Sequence, residues 1–527
     1  MAKGASVKSK EFILAIDAGT QSVRSILIDP EGNLHDIVKT PIEPYFSDNP
    51  GWAEQKPEYY WKTLCDTCKL LFKKTKIPKD AVKGVTLTTQ RNTMINVDKN
   101  GRPLRPAIVW LDQRKAKNED FPSGVIRTGL RAINILGTVE YAIRECEANW
   151  IQQNQPDIWE KTHKYLFLSG YLTYKLTGEF TDSTGNMVGY VPFDYKKHRW
   201  SGKMDIKWKM FPMDKSILPS LVYPGDILGC ITKEVSRQTG IPHGLPVIAA
   251  AADKACEVLG SGCLSPEIAC LSYGTTATVE TTNTKYVEIV PFLPSYPSAV
   301  PGSFNTEVMI YRGYWMVSWF KKQFGLREMQ IAERKKIQPE QLFDELITDI
   351  PPGSMGLMLQ PYWSPGVKVP GPEAKGSIIG FGDVHTRAHI YRAILEGLAY
   401  ALKEGMLRTE KRNGVKIEKL RVSGGGSQSN VAMQLTADIF NIPAERPHTY
   451  ETSALGAAID AAVGLKLHRD FDSAVKAMTR VGTVYEPKPE NVKVYRELFD
   501  TVYMKLYGRL QPLYSKIRDI TGYPPKS

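Results

Sequence analysis

The sequence predicts an α/β protein built from two halves of similar design. A strand–turn–strand unit with a glycine at its tip opens the chain between Phe12 and Asp29. A second such unit follows 255 residues later, with Gly274-Thr275 standing where Gly19-Thr20 stand in the first. An internal match at about half the chain length points to duplicated units. Elsewhere, segments with helical spacing alternate with short apolar runs, as in α/β chains.

The elements follow in order. Phe12 to Ile16 is a short apolar run with strand character, and Asp17-Ala18-Gly19-Thr20-Gln21-Ser22 breaks it. Val23 to Asp29 resumes the strand, Pro30-Glu31-Gly32-Asn33 is a turn, and Leu34 to Val38 forms a third strand. Pro57 to Lys73 has helical spacing that places Cys65 and Cys68 on its apolar face. With no second ligand pair, this lone CxxC reads as buried helix cysteines. Val85 to Thr89 and Thr93 to Val97 are strands, and Leu166 to Leu176 is helical. The second unit runs through Ile268 to Leu271, the tip Ser272-Tyr273-Gly274-Thr275-Thr276, and Ala277 to Glu280. Pro361 to Gly376 is a Pro- and Gly-rich loop long enough to be functional. Tyr391 to Leu407 reads as an amphipathic helix. Lys419 to Val422 is a strand ending in Ser423-Gly424-Gly425-Gly426-Ser427, and Asn430 to Phe440 and Ser453 to Val463 are helices.

Composition narrows the class. The 527 residues are 42% apolar and 24% charged, ordinary globular values that exclude wholesale disorder. No run approaches the roughly 18 apolar residues of a membrane span. The start, Met1 to Lys10, lacks an apolar core and does not read as a secretory signal. A net charge of +12 could serve nucleic acid or phosphorylated partners, yet no long basic block or nucleic-acid-binding signature accompanies it. It reads mainly as solvated surface. Seven cysteines, an odd number, suit reduced thiols in a cytoplasmic protein.

The chemistry concentrates at the turns. Inward-pointing backbone N–H groups on small residues can hold a phosphate. Gly19 and Gly274 suit that role, with the hydroxyls of Thr20, Ser22, Thr275 and Thr276 beside them. Gly424-Gly425-Gly426 offers a third place of close approach. Each alone is as well explained as a tight turn. Asp17, at the end of a strand, can hold a water-coordinated Mg²⁺ beside phosphates. Asp253 ends the apolar run Val247 to Ala252. There it is either the N-cap of a helix over Lys254 to Leu259 or a general base for a substrate hydroxyl. No P-loop and no dinucleotide fingerprint occurs. His468-Arg469-Asp470 imitates a protein-kinase catalytic loop, but Val475 falls where the Asn belongs.

These pieces resemble the FGGY family of carbohydrate kinases, which share the ATPase core of actin, hexokinase and the heat-shock chaperones. The resemblance runs in order through Ile16 to Ser22, Trp52-Ala53-Glu54-Gln55, Pro106 to Arg114, Asp253, and Tyr273-Gly274-Thr275. It continues through Gly376 to Gly380, Tyr391 to Gly397, Gly424 to Gly426 and Ala454 to Ala458, covering roughly residues 11 to 500. It implies two ribonuclease-H-like, actin-like ATPase domains (11–262 and 263–510) with an interdomain cleft for ATP, Mg²⁺ and a sugar or polyol, most readily a ketopentose or a sugar alcohol. By the same resemblance Asp253 is the catalytic base and Asp17 the magnesium-linked acid. Gly19, Thr20, Gln21 and Ser22 form the first phosphate turn, and Gly274 and Thr275 the second. Gly424, Gly425, Gly426 and Asn430 bind adenosine. Arg91, Asn92, Trp110 and Asp112 lie on the substrate side. No nucleic acid or membrane partner is expected, and a homodimer is compatible with the family.

The chain departs from the family pattern where substrate is chosen. Glycerol kinases carry an acid after the Arg, whereas here Asn92 follows Arg91. The Met-His pair usual in xylulokinases is absent. Glu147 stands three residues before Trp150, where the family places Lys, and Ser169 replaces the usual Asp before Leu176-Thr177-Gly178. A kinase for a signalling sugar such as linear autoinducer-2, and a non-catalytic nucleotide-binding protein on the same core, are the competing expectations.

Overall fold

The computed structural model describes residues 10–118, 121–337, 339–366 and 370–524. Apart from Lys10, the basic start lies outside the described residues, as do 367–369 of the Pro- and Gly-rich loop.

Two sheets organise the chain. The first contains β1 (Phe12–Ala18), β2 (Ser22–Ile28), β3 (Leu34–Pro41), β4 (Val82–Thr89), β5 (Ile227–Cys230) and β6 (Pro246–Ala249), in the order β5-β6-β4-β1-β2-β3. β1, β2 and β3 form an antiparallel meander, and β4 and β6 add parallel to β1. The second contains β7 (Ile268–Tyr273), β8 (Ala277–Asn283), β9 (Tyr296–Pro297), β10 (Phe304–Ile310), β11 (Lys419–Ser423), β12 (Ala444–Pro447) and β13 (Val481–Tyr485), in the order β9-β10-β8-β7-β11-β12-β13. Its β7-β8-β10 meander is antiparallel, β11 and β12 add parallel to β7, and β13 closes the edge antiparallel. Strand directions match position by position, so the glycine-tip repeat marks a repeated sheet. β1 is buried along its whole length, as expected of a strand covered on both faces.

The helices that bear on the core and the site are α1 (Pro57–Lys74), α2 (Asp253–Gly260), α3 (Trp315–Phe324), α4 (Arg387–Asn413), α5 (Asn430–Phe440) and α6 (Thr452–Gly464). α1 covers one face of the first sheet. α6, from late in the chain, covers the other, where Ala454, Ala458 and Ile459 share a core with Ile13, Ala15 and Ile248. Here α2 and α6 touch through their backbones. A Cβ on Gly260 would lie 1.9 Å from the Thr452 carbonyl oxygen, and one on Gly456 would lie 1.9 Å from that of Cys256.

Two elements differ from expectation. Residues 166–176 divide into a strand, Lys164–Phe167, and a helix, Leu168–Thr177. α4 is buried on every side from Tyr391 to Leu402, because it runs through the core of the second half. Its polar Arg392 and Glu396 survive burial by pairing at 2.9 Å. Among the described residues no helix is long and apolar enough to cross a membrane.

Candidate active site

A cleft of about 1470 Å³ opens between the two sheets, room for a nucleotide and a second small molecule together. The sheet topology brings most of the expected residues to it. Asp17, Gly19, Thr20, Gln21, Ser22, Arg91, Asn92, Trp110, Asp253, Gly274, Thr275 and Gly424 to Gly426 all line it.

The first tip is the β1–β2 hairpin, closed by Gly19 N–H donating to the Ser22 carbonyl at 3.1 Å. The second is the β7–β8 hairpin. Its Gly274 and Thr275 carbonyls accept from the N–H groups of Tyr314 and Trp315 at 3.1 and 3.3 Å, so the start of α3 holds the tip. At the third, Gly424 has φ +80°, and a Cβ there would lie 2.9 Å from the backbone of Tyr273. The fold itself therefore demands glycine at 424. Gly19 and Gly425 differ: neither has positive φ, and a Cβ would meet nothing closer than 3.7 Å at 19 and nothing within 4 Å at 425. Those two glycines leave space that the protein does not use.

Asp253 is the first residue of α2 and does not cap it; the cap position is Ala252, without a side-chain bond. Its Oδ1 accepts only the neighbouring Lys254 N–H, at 2.8 Å, among the bonds of the described residues. Burial pushes its carboxyl up to about 6, against the pull of Arg91 and Lys254. Asp17, 3% exposed, is likewise raised by burial. Its Oδ2 accepts from Arg24 Nη1 at 2.6 Å, and Arg24 Nε reaches Glu451 at the start of α6 at 3.2 Å.

On the other side of Asp253, Gln90, Arg91 and Asn92 follow β4. Arg91 makes a two-pronged pair with Glu307 of β10, at 2.8 and 3.3 Å. Gln90 Nε2 donates to Tyr60 Oη at 2.9 Å and Asn92 Nδ2 donates to Glu147 Oε1 at 2.8 Å. Among the described residues the side-chain oxygens of Gln90 and Asn92 have no partner. Trp110 Nε1 donates to Thr20 Oγ1 at 3.1 Å.

Two expected residues lie off the cleft. Asp112 accepts from Arg114 Nε and Nη2, each at 2.7 Å, and from Ala53 N–H at 2.6 Å. Arg114 is sandwiched between Trp52 and Trp150, at 3.9 and 4.6 Å from their ring centres. Asp112 thus anchors the Trp52 to Gln55 segment. Asn430 starts α5, and its Oδ1 accepts from Arg446 Nη2 at 2.9 Å and Tyr485 Oη at 2.6 Å, toward the β12–β13 edge. The aromatics Tyr273 and Tyr314 stack at 4.5 Å, and Tyr314 backs Gly426, on the side of the third turn.

Arg24, Gln90, Lys254 and Glu307 also line the cleft and were not singled out from sequence. A signal existed for Glu307, the single charge in the strand Phe304–Ile310. Lys254 stands beside the proposed base and pairs with Glu257 at 2.9 Å and with Ser272.

Comparison with known proteins agrees with this architecture. Residues 12–260 match the N-terminal domain of the FGGY family of carbohydrate kinases, and residues 269–465 match its C-terminal domain. The chain is 31% identical to the sugar kinase YgcE of Escherichia coli over 92% of its own length and 91% of that protein's. It is 30% identical to a xylulose kinase of Lactococcus lactis, over 93% and 95% of the two chains. Its fold superimposes on a gluconate kinase of Lactobacillus acidophilus with a TM-score of 0.77 at 20% identity, covering 98% of this chain and 99% of that one.

Proposed function

The chain belongs to the FGGY family of carbohydrate kinases, and from that premise we propose how it transfers the γ-phosphoryl group of ATP to a hydroxyl of a small sugar, most readily a ketopentose. The observation that carries the reading is the convergence of three glycine turns and Asp253 on one cleft. Similarity to a xylulose kinase supports the ketopentose.

Asp253 takes the proton of the acceptor hydroxyl as its oxygen attacks phosphorus. A base whose carboxyl is raised to about 6 is ionised at neutral pH yet basic enough to accept that proton. The remaining N–H groups and the hydroxyls of the Gly19 to Ser22 turn, whose Gly19 N–H closes the hairpin, and those of Gly274 to Thr276 receive the phosphates, spreading charge in a loose transition state. The open space above Gly19 and Gly425 lets phosphate and adenosine approach the backbone. Arg91 and Asn92, which line the cleft beside Asp253, face the acceptor side. Asp112 and Asn430 act at one remove, holding the substrate-side segment and the start of α5.

Mg²⁺ fits this site as an ion held mainly by phosphate and water. Asp17 supplies a hard carboxylate oxygen, and among the described residues no cluster of three His, Cys, Asp or Glu forms a metal cage. When bound, the ion neutralises phosphate charge. Arg24 keeps the Asp17 carboxylate fixed in orientation.

The functional division follows 11–262 and 263–510, with base and first turn in one part and second turn and adenosine segment in the other. The seven free cysteines support a reducing, cytoplasmic setting. A coupled ADP-release screen over glycerol, erythritol, ribulose, xylulose, their epimers and linear autoinducer-2 tests the reading. Turnover highest on a ketopentose is expected. No turnover on any acceptor would refute it and favour a non-catalytic nucleotide-binding protein.

A further inference from the structure

The two sides of the acceptor pocket are joined by Arg91 and Glu307. Arg91 follows β4 of the first sheet, and Glu307 lies on β10 of the second. Both Nη groups of Arg91 donate to the two carboxylate oxygens of Glu307, with the side chains 14% and 7% exposed. The guanidinium also lies over the Tyr296 ring at 5.5 Å. Burial disfavours its charge, and Glu307 more than restores it. The other cation beside Asp253, Lys254, is committed to Glu257 and Ser272.

Beside Asp253 the pocket keeps an acceptor while both neighbouring cations are taken. The Asp253 carboxylate accepts only the Lys254 N–H among the bonds of the described residues. The Arg91 guanidinium and the Lys254 ammonium are already paired with Glu307 and Glu257. A hydroxyl can donate to such a surface, whereas a carboxylate only accepts and would meet like charge without a free guanidinium.

We infer that Glu307 sets the acceptor class: by occupying Arg91 it makes the pocket take uncharged polyhydroxyl compounds and turn away sugar acids. This rests on the kinase reading above and narrows it. Glu307 acts here as a positioning residue, through the direction and availability of the Arg91 guanidinium.

Calorimetric binding to the intact protein, without ATP, tests this independently of turnover. The probes are xylulose, ribulose, glycerol and erythritol against xylonate, ribonate and gluconate. The wild-type protein should bind its best uncharged compound at least tenfold more tightly than any aldonate. Glu307→Gln, which frees the guanidinium, should shrink that ratio at least tenfold by strengthening aldonate binding, and Glu307→Asp should keep it near the wild-type value. A purely structural role would weaken both classes alike. The inference is overturned if an aldonate binds as tightly as the best uncharged compound, if no uncharged compound binds, or if Glu307→Gln leaves the ratio unchanged. If Glu307→Gln does not fold, Arg91→Gln decides together with the wild-type ratio. It keeps the carboxylate and must bind aldonates no better than wild type; tighter aldonate binding would overturn the inference. ADP release measured in parallel judges the kinase reading: a preserved ratio without turnover refutes that reading alone.

Discussion

Trp110 Nε1 donates a hydrogen bond to Thr20 Oγ1 across 3.1 Å, tying the substrate-side segment to the first phosphate turn. Because Thr20 Oγ accepts from the indole, its own O–H proton is directed elsewhere and is free for a phosphate oxygen. Trp110→Phe keeps the ring and removes the donor. Turnover should fall about 3- to 10-fold, in line with one neutral hydrogen bond of about 1 kcal/mol. Steady-state kinetics in a Thr20→Val background check the cause, since there Trp110→Phe should cost little more.

The acid limb of the pH profile should report Asp253. Its carboxyl is raised to about 6 by burial, so the ionised base is present above that pH and lost as pH falls through it. A plot of log kcat/KM against pH should therefore bend near 6 to a slope of one. A bend near 4, the ordinary carboxylate range, would contradict the burial of this group.

The third turn separates ligand demands from fold demands. A Cβ on Gly426 would lie 2.3 Å from the Tyr314 ring, whereas one on Gly425 would meet nothing within 4 Å. Gly426→Ala should destabilise the protein by about 1–3 kcal/mol through overpacking. Gly425→Ala should leave the melting temperature nearly unchanged and raise KM for ATP severalfold. Thermal unfolding and ATP kinetics on the two variants distinguish the effects.

Asp17 and Arg24 form a part-buried pair 2.6 Å apart. Asp17→Asn removes the carboxylate that suits Mg²⁺ while keeping the shape. The Mg²⁺ concentration giving half-maximal rate should rise about tenfold or more, and stability should fall as well, because Arg24 then keeps only Glu451. A magnesium titration checks the first expectation and calorimetric unfolding the second.

Much of this was legible in the chain because it is local. Strand–glycine–strand at residues 12–28 and 268–283 announces two hairpins, and residues 453–463 announce a helix. The orientation of side chains after an element ends was not legible. Asp112 looks like a substrate residue by position, but a buried guanidinium two residues on claims both its oxygens. Asn430 is drawn to Arg446 and Tyr485, partners set by the β12–β13 edge. Glu307 could be suspected as a lone charge in a strand, yet its meaning depends on Arg91, 216 residues away. The all-round burial of α4 likewise depends on what packs on each face, which periodicity does not report.

The central claim is that Asp253 is the base that deprotonates the acceptor hydroxyl in a cleft that binds ATP without it. Single-turnover phosphoryl transfer by Asp253→Asn, measured with the best acceptor beside ATP affinity on the same sample, tests this most directly. Transfer should fall at least about 10²- to 10⁴-fold, the range for loss of a general base, with ATP affinity nearly unchanged. Near-normal transfer by Asp253→Asn would contradict the assignment.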